Sequence, residues 1–236
     1  MEQSKSFLKL LKIDADVHTV IAVVGGGGKT SLIFRLTEEL VSLGKKVIVT
    51  TTTHMACEEN HPFAKDGCLD MLTSQLSLHG YVVAAGYDEK KQKLCSLTEG
   101  KLNELSNFCD ILLVEADGAH RRPLKVPEEW EPVIPSNAKL VIGVAGLDSI
   151  GKPIQETAHR AERTAHFLKK SMDAPVTEED VAQIAASACG LYKGVGEREY
   201  RVYLNKADVL PTTKPAEKIV RALEQKNIAA AFGSLL

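Results

Sequence analysis

Val20-Ile21-Ala22-Val23-Val24-Gly25-Gly26-Gly27-Gly28-Lys29-Thr30-Ser31 carries the pattern that sets the fold class of this chain. An apolar run stops abruptly in glycines, and a helix-compatible segment follows at once. Strand, Cβ-free loop and helix N-terminus in that order make an anion site. Glycine lets the backbone approach a ligand closely. The helix start contributes orphan N–H donors and the positive end of its dipole. Lys29 supplies a charge for outer phosphates, and Thr30 a hydroxyl for Mg²⁺. Gly25, Gly26, Gly27, Gly28, Lys29, Thr30 and Ser31 are therefore the phosphate-binding candidates, set against a plain glycine-rich turn between strand and helix. The loop is a shortened form of the usual phosphate-binding pattern. G-x-x-x-x-G-K-[ST] needs a glycine where Val23 stands, whereas G-x-x-G-K-T is present.

Working outward, Leu32, Leu36 and Leu40 recur every fourth residue, with Ile33 and Leu43 beside them, so the spacing predicts a helix from about Lys29 to Leu43 with one buried face. Gly44 is its expected terminator. Lys46–Thr50 reads as a second strand. Strand, helix and strand in so short a span form a βαβ unit and hence a parallel sheet. Val17–Val24 is the expected first strand, and residues 1–16 a helical lead-in. Between 55 and 80, His61-Pro62 and Asp66-Gly67 signal loops, and Asp70–Leu78 a short helix. Tyr81–Ala85 reads as a strand with a hairpin arm at Lys90–Ser96, and Thr98–Phe108 as a helix capped by Thr98. Asp110–Val114 and Lys139–Val144 are nearly continuous apolar runs, as interior parallel strands require. A charged helix is expected over Gln155–Lys170, and a capping-box helix from Thr177. Arg201–Leu204 and Ile228–Phe232 read as strands flanking a helix over Pro215–Glu224. The fold class implied is α/β: a three-layer α/β/α P-loop NTPase-like domain with a mostly parallel sheet. Residues 1–236 form one domain in this reading, and about 148–200 a helical insertion.

Composition excludes several classes. The chain has 236 residues, 44% hydrophobic and 25% charged, with a formal charge of −2. No global basic field exists to attract nucleic acid or an anionic membrane. No apolar run approaches the ~20 residues of a membrane helix, and the N-terminus lacks the apolar core and cleavage site of a signal peptide. The five cysteines are odd in number and scattered without C-x-x-C, which fits reduced thiols in a cytoplasm.

Four segments end predicted parallel strands, the edge where open α/β sheets bind ligands. Besides the glycine loop, Glu115 and Asp117 follow an apolar strand, where a carboxylate holds Mg²⁺ directly or through water, or polarises an attacking water. With Thr30 they are the Mg²⁺ candidates, and with Lys29 the catalytic ones; a solvent-facing acidic strand end is the plainer reading. Asn205-Lys206-Ala207-Asp208 fits N-K-x-D. Asp208 accepts from guanine N1–H and its amino group, Asn205 braces the loop, and the Lys206 stem packs on the base. A chance turn, and ATP in place of GTP, stay open. Thr50 to Thr53 and His54 end the second strand. β-Propensity explains part of that run; hydroxyls at the ligand edge make Thr52 or Thr53 a contact to Mg²⁺ or substrate phosphate, and His54 a substrate contact. Arg121, Arg122 and Lys125 are candidates for a phosphorylated substrate, or form a solvated basic loop. His54-x-x-Cys57-x-x-x-His61 has metal-like spacing without an obvious fourth ligand, and reads more simply as loop. His159, Arg160 and Arg163 read as a salt-bridged surface.

Val24–Thr30, Thr50–His54, Val114-Glu115-Ala116-Asp117-Gly118-Ala119, Arg122-Pro123-Leu124-Lys125 and Asn205–Asp208 together resemble the YqeC family, in order, from about Val20 to Leu210. That family is described as accessory to selenium-dependent molybdenum hydroxylases and implicated in selenium cofactor biosynthesis. The pairing of E-x-x-G with N-K-x-D is also similar to metallocentre-assembly GTPases of the urease and hydrogenase maturation kind. The resemblance implies a cytoplasmic, nucleotide-dependent accessory factor partnered by such a hydroxylase or its cofactor machinery. Hydrolysis of the nucleotide, transfer of its γ-phosphate to a small substrate as in a small-molecule kinase, and non-catalytic carriage of a pterin dinucleotide remain three distinct readings.

Overall fold

A computed structural model describes residues 6–56 and 60–235. The chain divides into two compact units. One contains the chain up to Val23, Thr30–Gly118 and Val133–Leu140; the other contains Val24–Lys29, Ala119–Pro132 and everything from Val141 onward.

The first unit opens with α1 (Phe7–Leu10) and β1 (Val20–Gly25), whose last two residues belong to the second unit. The lead-in helix is short, and residues 1–5 lie outside the described residues. Its capping groups dock on one carboxylate: Glu39 accepts from the Ser6 hydroxyl and the Phe7 and Leu8 N–H groups at 2.8, 2.9 and 3.1 Å. α2 (Lys29–Ser42) follows the glycine loop. Leu32, Ile33, Leu36 and Leu40 are fully buried along one face, as their spacing predicts. Gly44 ends the helix at φ 79°, and Lys45 N–H closes back on the Leu40 carbonyl at 3.1 Å.

β2 (Val47–Thr51), β3 (His54–Ala56), β4 (Phe63–Lys65), α3 (Leu69–His79), β5 (Tyr81–Asp88), β6 (Lys93–Cys95), α4 (Glu99–Leu105) and β7 (Ile111–Glu115) complete this unit. Its strands lie in the order β1-β7-β2-β5-β6-β3. The pairings β1–β7, β7–β2, β2–β5 and β5–β4 are parallel, whereas β6 runs antiparallel to β5 and β3. β1, β2 and β7 are buried along their whole length, which is why their sequences do not alternate. β4 has no counterpart in the sequence reading. Three residues carry too little pattern to announce a strand, and it exists because Phe63–Lys65 pairs with Val83–Ala85.

The second unit carries β8 (Leu124–Lys125), β9 (Leu140–Gly146, whose first residue belongs to the first unit), α5 (Ile154–Thr157), β10 (Ala158–His159), α6 (Ala161–Leu168), α7 (Glu178–Ala186), β11 (Glu199–Asn205), α8 (Lys214–Glu224) and β12 (Ala229–Phe232). β9, β11 and β12 are successive neighbours, β11 and β12 parallel. The continuous helix expected over Gln155–Lys170 is broken in two. Arg160 takes a left-handed φ of 59°, and Ala158–His159 leave the helix to pair with Leu124–Lys125. Helical periodicity could not register a two-residue strand whose partner is so far upstream. Thr177 forms the predicted capping box with Asp180.

The architecture is a three-layer α/β/α P-loop-like fold with a mostly parallel sheet. No helix among the described residues is long and apolar enough to cross a membrane.

Candidate functional site

The glycine loop is built entirely within the second unit. β1 ends at Gly25 and α2 begins at Lys29, so the loop proper is three residues long. Gly26 N–H donates to the Val144 carbonyl at 2.9 Å and Gly27 N–H to the Arg122 carbonyl at 3.0 Å. These two amides therefore shape the loop, and the first turn of α2 presents the helix-start donors. Lys29 is 5% exposed and its Nζ donates to the Gly25 carbonyl at 2.8 Å, folding the side chain back over the loop. Glycine is required at position 28 on two counts: φ is 128°, and a Cβ there would lie 2.3 Å from Asn205 Nδ2.

Asn205 sits at the end of β11, 4% exposed, and its Nδ2 donates to the Gly27 carbonyl at 2.8 Å. The brace expected of this asparagine thus lands on the phosphate loop itself. Lys206 follows with φ 64°, and its Nζ meets Asp148 Oδ2 at 2.7 Å. Asp208 lies in a 3-10 turn, exposed. Ala207 N–H is held by the Gly233 carbonyl at 3.0 Å.

Arg121 and Arg122 are exposed, and Arg121 is left-handed at φ 60°. Arg122 also donates from Nη1 to the Glu156 carbonyl. What the sequence reading missed is the role of this segment's carbonyls. Arg122 receives Gly27 N–H, while Pro123 receives Gly146 N–H at 2.9 Å. A Cβ on Gly26 would stand 2.5 Å from the Arg122 oxygen. The segment is the back wall of the phosphate loop. Lys125, proposed from sequence as a phosphate contact, is 1% exposed and pairs with Glu131 at 2.9 Å. Glu131 also receives Arg160, whose Nε lies 3.5 Å from Glu128; Arg163 reaches Glu128 at 3.0 Å. Burial alone would raise the Glu131 carboxyl. Hydrogen bonds from Arg160 and Lys125, the Lys125 charge and the Glu128 N–H outweigh it and hold the group down at about 2. His159, stacked on His120 with ring centroids 4.7 Å apart, is pushed down to about 4 by burial and then by the Arg160, His120 and Lys125 charges.

The acidic set belongs to the first unit. Glu115, 6% exposed at the end of β7, accepts from the Thr30 hydroxyl at 2.7 Å. Asp117 is 1% exposed two residues on. The threonine run is tied to the same strand end: the Thr51 hydroxyl and Thr52 N–H both donate to the Glu115 carbonyl, at 2.9 and 3.1 Å. Thr50 is spent on the Ala84 carbonyl and Thr52 on that of Val133, at 2.6 and 2.7 Å. The Thr53 hydroxyl oxygen is buried with no hydrogen-bond partner among the described residues. Thr30, Glu115 and Asp117 are hard oxygen donors of the kind Mg²⁺ selects. The residues present therefore fit a hydrated magnesium ion. Lys29 and Thr30, consecutive in the chain, close one set and open the other.

His54 opens β3. It lies exposed on β3, with Nε2 3.3 Å from Lys91 Nζ and 3.8 Å from Asp88. His61 is packed: its ring stacks on Phe34 at 3.8 Å and Nδ1 meets the Tyr81 hydroxyl at 3.0 Å. Cys57 lies outside the described residues. No cluster of three or more His, Cys, Asp or Glu side chains suited to a metal ion exists among the described residues. Ser31 is exposed on the first turn of α2.

A profile of the YqeC protein family matches residues 21–162. The uncharacterized protein YqeC of Escherichia coli (strain K12) is 33% identical over 226 residues, spanning 91% of this chain and 86% of that protein. Among solved structures, the hydrogenase maturation factor HypB from Archaeoglobus fulgidus aligns over 96% of this chain and 85% of its own, with 12% identity and a TM-score of 0.43. With a profile match over more than half of its length and a relative 33% identical across 91% of it, the chain belongs to the YqeC family.

Proposed function

We propose that the protein binds a purine nucleoside triphosphate with Mg²⁺ and uses it as a cytoplasmic accessory factor in maturing a selenium-dependent molybdenum hydroxylase. The single observation that carries nucleotide binding is the Asn205 Nδ2 bond to the Gly27 carbonyl, 2.8 Å long. It joins the N-K-x-D segment to the phosphate loop in one rigid polar contact. A phosphate cradle and a base-reading motif built on one scaffold suit a nucleotide better than a bare phosphoester. The maturation role is supported by the family resemblance.

In this reading the α2 N-terminus and Lys29 bind the phosphates, and Thr30 with Glu115 or Asp117 holds the ion. Bound Mg²⁺ would neutralise charge on the phosphate oxygens. Whichever of Glu115 and Asp117 is not bound to the ion would orient a water or an acceptor hydroxyl and take its proton. Asp208 accepts the paired N–H donors of guanine, which adenine lacks, so GTP is the favoured nucleotide.

Calorimetric titration of Mg-GTP and Mg-ATP into the wild type, Lys29→Ala and Asp208→Asn tests this. Lys29→Ala should weaken both nucleotides by at least tenfold, about the worth of one desolvated charge-assisted contact. Asp208→Asn exchanges an acceptor for a donor and should turn preference from guanine to xanthine nucleotides. Tight binding of a pterin dinucleotide, with no phosphate release above the Lys29→Ala background, would replace the enzyme with a carrier.

A further inference from the structure

The N-K-x-D lysine does not stand free in this structure. Lys206 Nζ meets Asp148 Oδ2 at 2.7 Å, joining the segment after β11 to the 3-10 turn after β9. The two side chains are 36% and 21% exposed. A pair so open to solvent contributes little to stability. Lys206 also holds a left-handed φ of 64°, which costs a non-glycine residue free energy and persists only where its surroundings determine it; such outliers gather at ligand sites. Those surroundings are on hand: Asn205 is fastened to Gly27 on one side, and Ala207 to Gly233 on the other. Both neighbours are held, Asn205 through its side chain and Ala207 through its backbone N–H, and the ammonium is held by Asp148. What is left between them is the hydrocarbon stem.

We infer that Asp148 is a positioning residue of the nucleoside half of the site: its carboxylate anchors the Lys206 ammonium, so that the lysine stem is held extended as an apolar surface for the flat face of a purine. An unanchored lysine samples many rotamers, and binding must then freeze them. The ion pair makes that ordering in advance. Asp148 touches no ligand in this scheme and acts through Lys206 alone. The inference rests on the nucleotide reading above and deepens it, since it concerns the base and leaves the phosphates aside.

A double-mutant cycle tests it, with Mg-GTP, Mg-ATP and inorganic triphosphate with Mg²⁺ as probes. Asp148→Ala should raise the Kd of the preferred nucleotide about threefold to fivefold, the range an exposed ion pair spans, while the Kd for inorganic triphosphate moves less than about twofold. Lys206→Met keeps an apolar stem and removes the charge. In that background Asp148→Ala should change nothing further, because the partner through which it acts is gone. Asp148→Asn, which keeps an acceptor and the side-chain shape, should show the same pattern at smaller amplitude and serves if the alanine variant folds poorly. Equal weakening of nucleotide and inorganic triphosphate overturns the inference, as does full additivity in the Lys206→Met background. Wild-type protein that binds inorganic triphosphate but no nucleotide overturns the nucleotide reading and this inference together, whereas tight nucleotide binding indifferent to Asp148 overturns the inference alone.

Discussion

Lys125–Glu131 and Lys206–Asp148 are the same chemistry in two places. Both are lysine–carboxylate pairs of the second unit, 2.9 and 2.7 Å long. The first is closed to solvent, with side chains 0% and 8% exposed, whereas the second is 36% and 21% exposed. Each also adjoins a segment that touches the phosphate loop: Lys125 lies two residues after Pro123 in the loop's back wall, and Lys206 one residue after Asn205. Burial decides what each pair does. A charge out of water is tolerated only while its partners remain, so the Lys125 pair fixes structure. A charge at the rim is stable with or without its partner, so the Lys206 pair contributes little to the fold and, in the proposal above, orients the lysine for a ligand. Sequence counts both as basic residues in motifs and cannot tell them apart.

Removing one partner of the closed pair gives the largest expected effect. Glu131→Ala leaves Lys125 buried without its carboxylate and Arg160 without its closest partner. Denaturant unfolding should show a loss of about 3–5 kcal/mol. The double variant Lys125→Met/Glu131→Leu replaces the pair by apolar groups of similar size and should recover most of that loss. If Glu131→Ala costs no more than Asp148→Ala, burial is not what separates the two pairs, and the comparison fails.

Acid should dismantle the closed cluster in two stages. His159 is held down at about 4 against an ordinary 6.5, by burial and by Arg160, His120 and Lys125, with Glu131 opposing. A base with a lowered pKa favours the fold while neutral; that stability is complete above 6.5 and is lost as pH falls towards 4. Glu131, held at about 2 against 4.5, contributes stability that is complete above 4.5 and lost as pH falls through 2. Unfolding midpoints at about pH 7 and about pH 4.5 should therefore fall in the wild type, and fall less in His159→Phe, which keeps a ring for the stack and cannot charge. An equal fall in both proteins would show that His159 does not titrate against the cluster.

The parts of this protein legible in sequence are those fixed by near neighbours in the chain. The period of Leu32, Leu36 and Leu40, the Thr177 capping box and the solid apolar runs of β1, β7 and β9 each carry their own cause within a few residues. The placement of the glycine loop after β1, of Glu115 at the end of β7 and of Asn205 at the end of β11 is legible for the same reason: an apolar strand that ends in glycine or a polar side chain is a local signal. Illegible features depend on partners elsewhere. β4 exists through Val83–Ala85, and the break at Arg160 follows from the pairing of Ala158–His159 with Leu124–Lys125. Lys125 looked like a phosphate contact because a lysine beside two arginines suggests an anion. Only the returning Glu131 turns it inward. Asp148 gives no signal, being one acidic residue after a strand whose partner, Lys206, lies far along the chain.

The smallest expected effect sharpens the comparison most. Asp148→Ala should lower stability by less than about 1 kcal/mol, as exposed pairs do. Its effect should vanish in concentrated salt, because screening shortens from about 10 Å at 0.1 M to about 3 Å at 1 M for charges in contact with solvent. The loss in Glu131→Ala should persist under the same salt, since ions cannot enter a pair with side chains 0% and 8% exposed. Parallel unfolding titrations of the two variants at both ionic strengths measure this directly. Persistence of the Asp148→Ala loss at high salt would mean that the rim pair carries packing as well as charge. It would then belong with Lys125–Glu131 as structure, and the lysine stem would be held by its neighbours with or without the carboxylate.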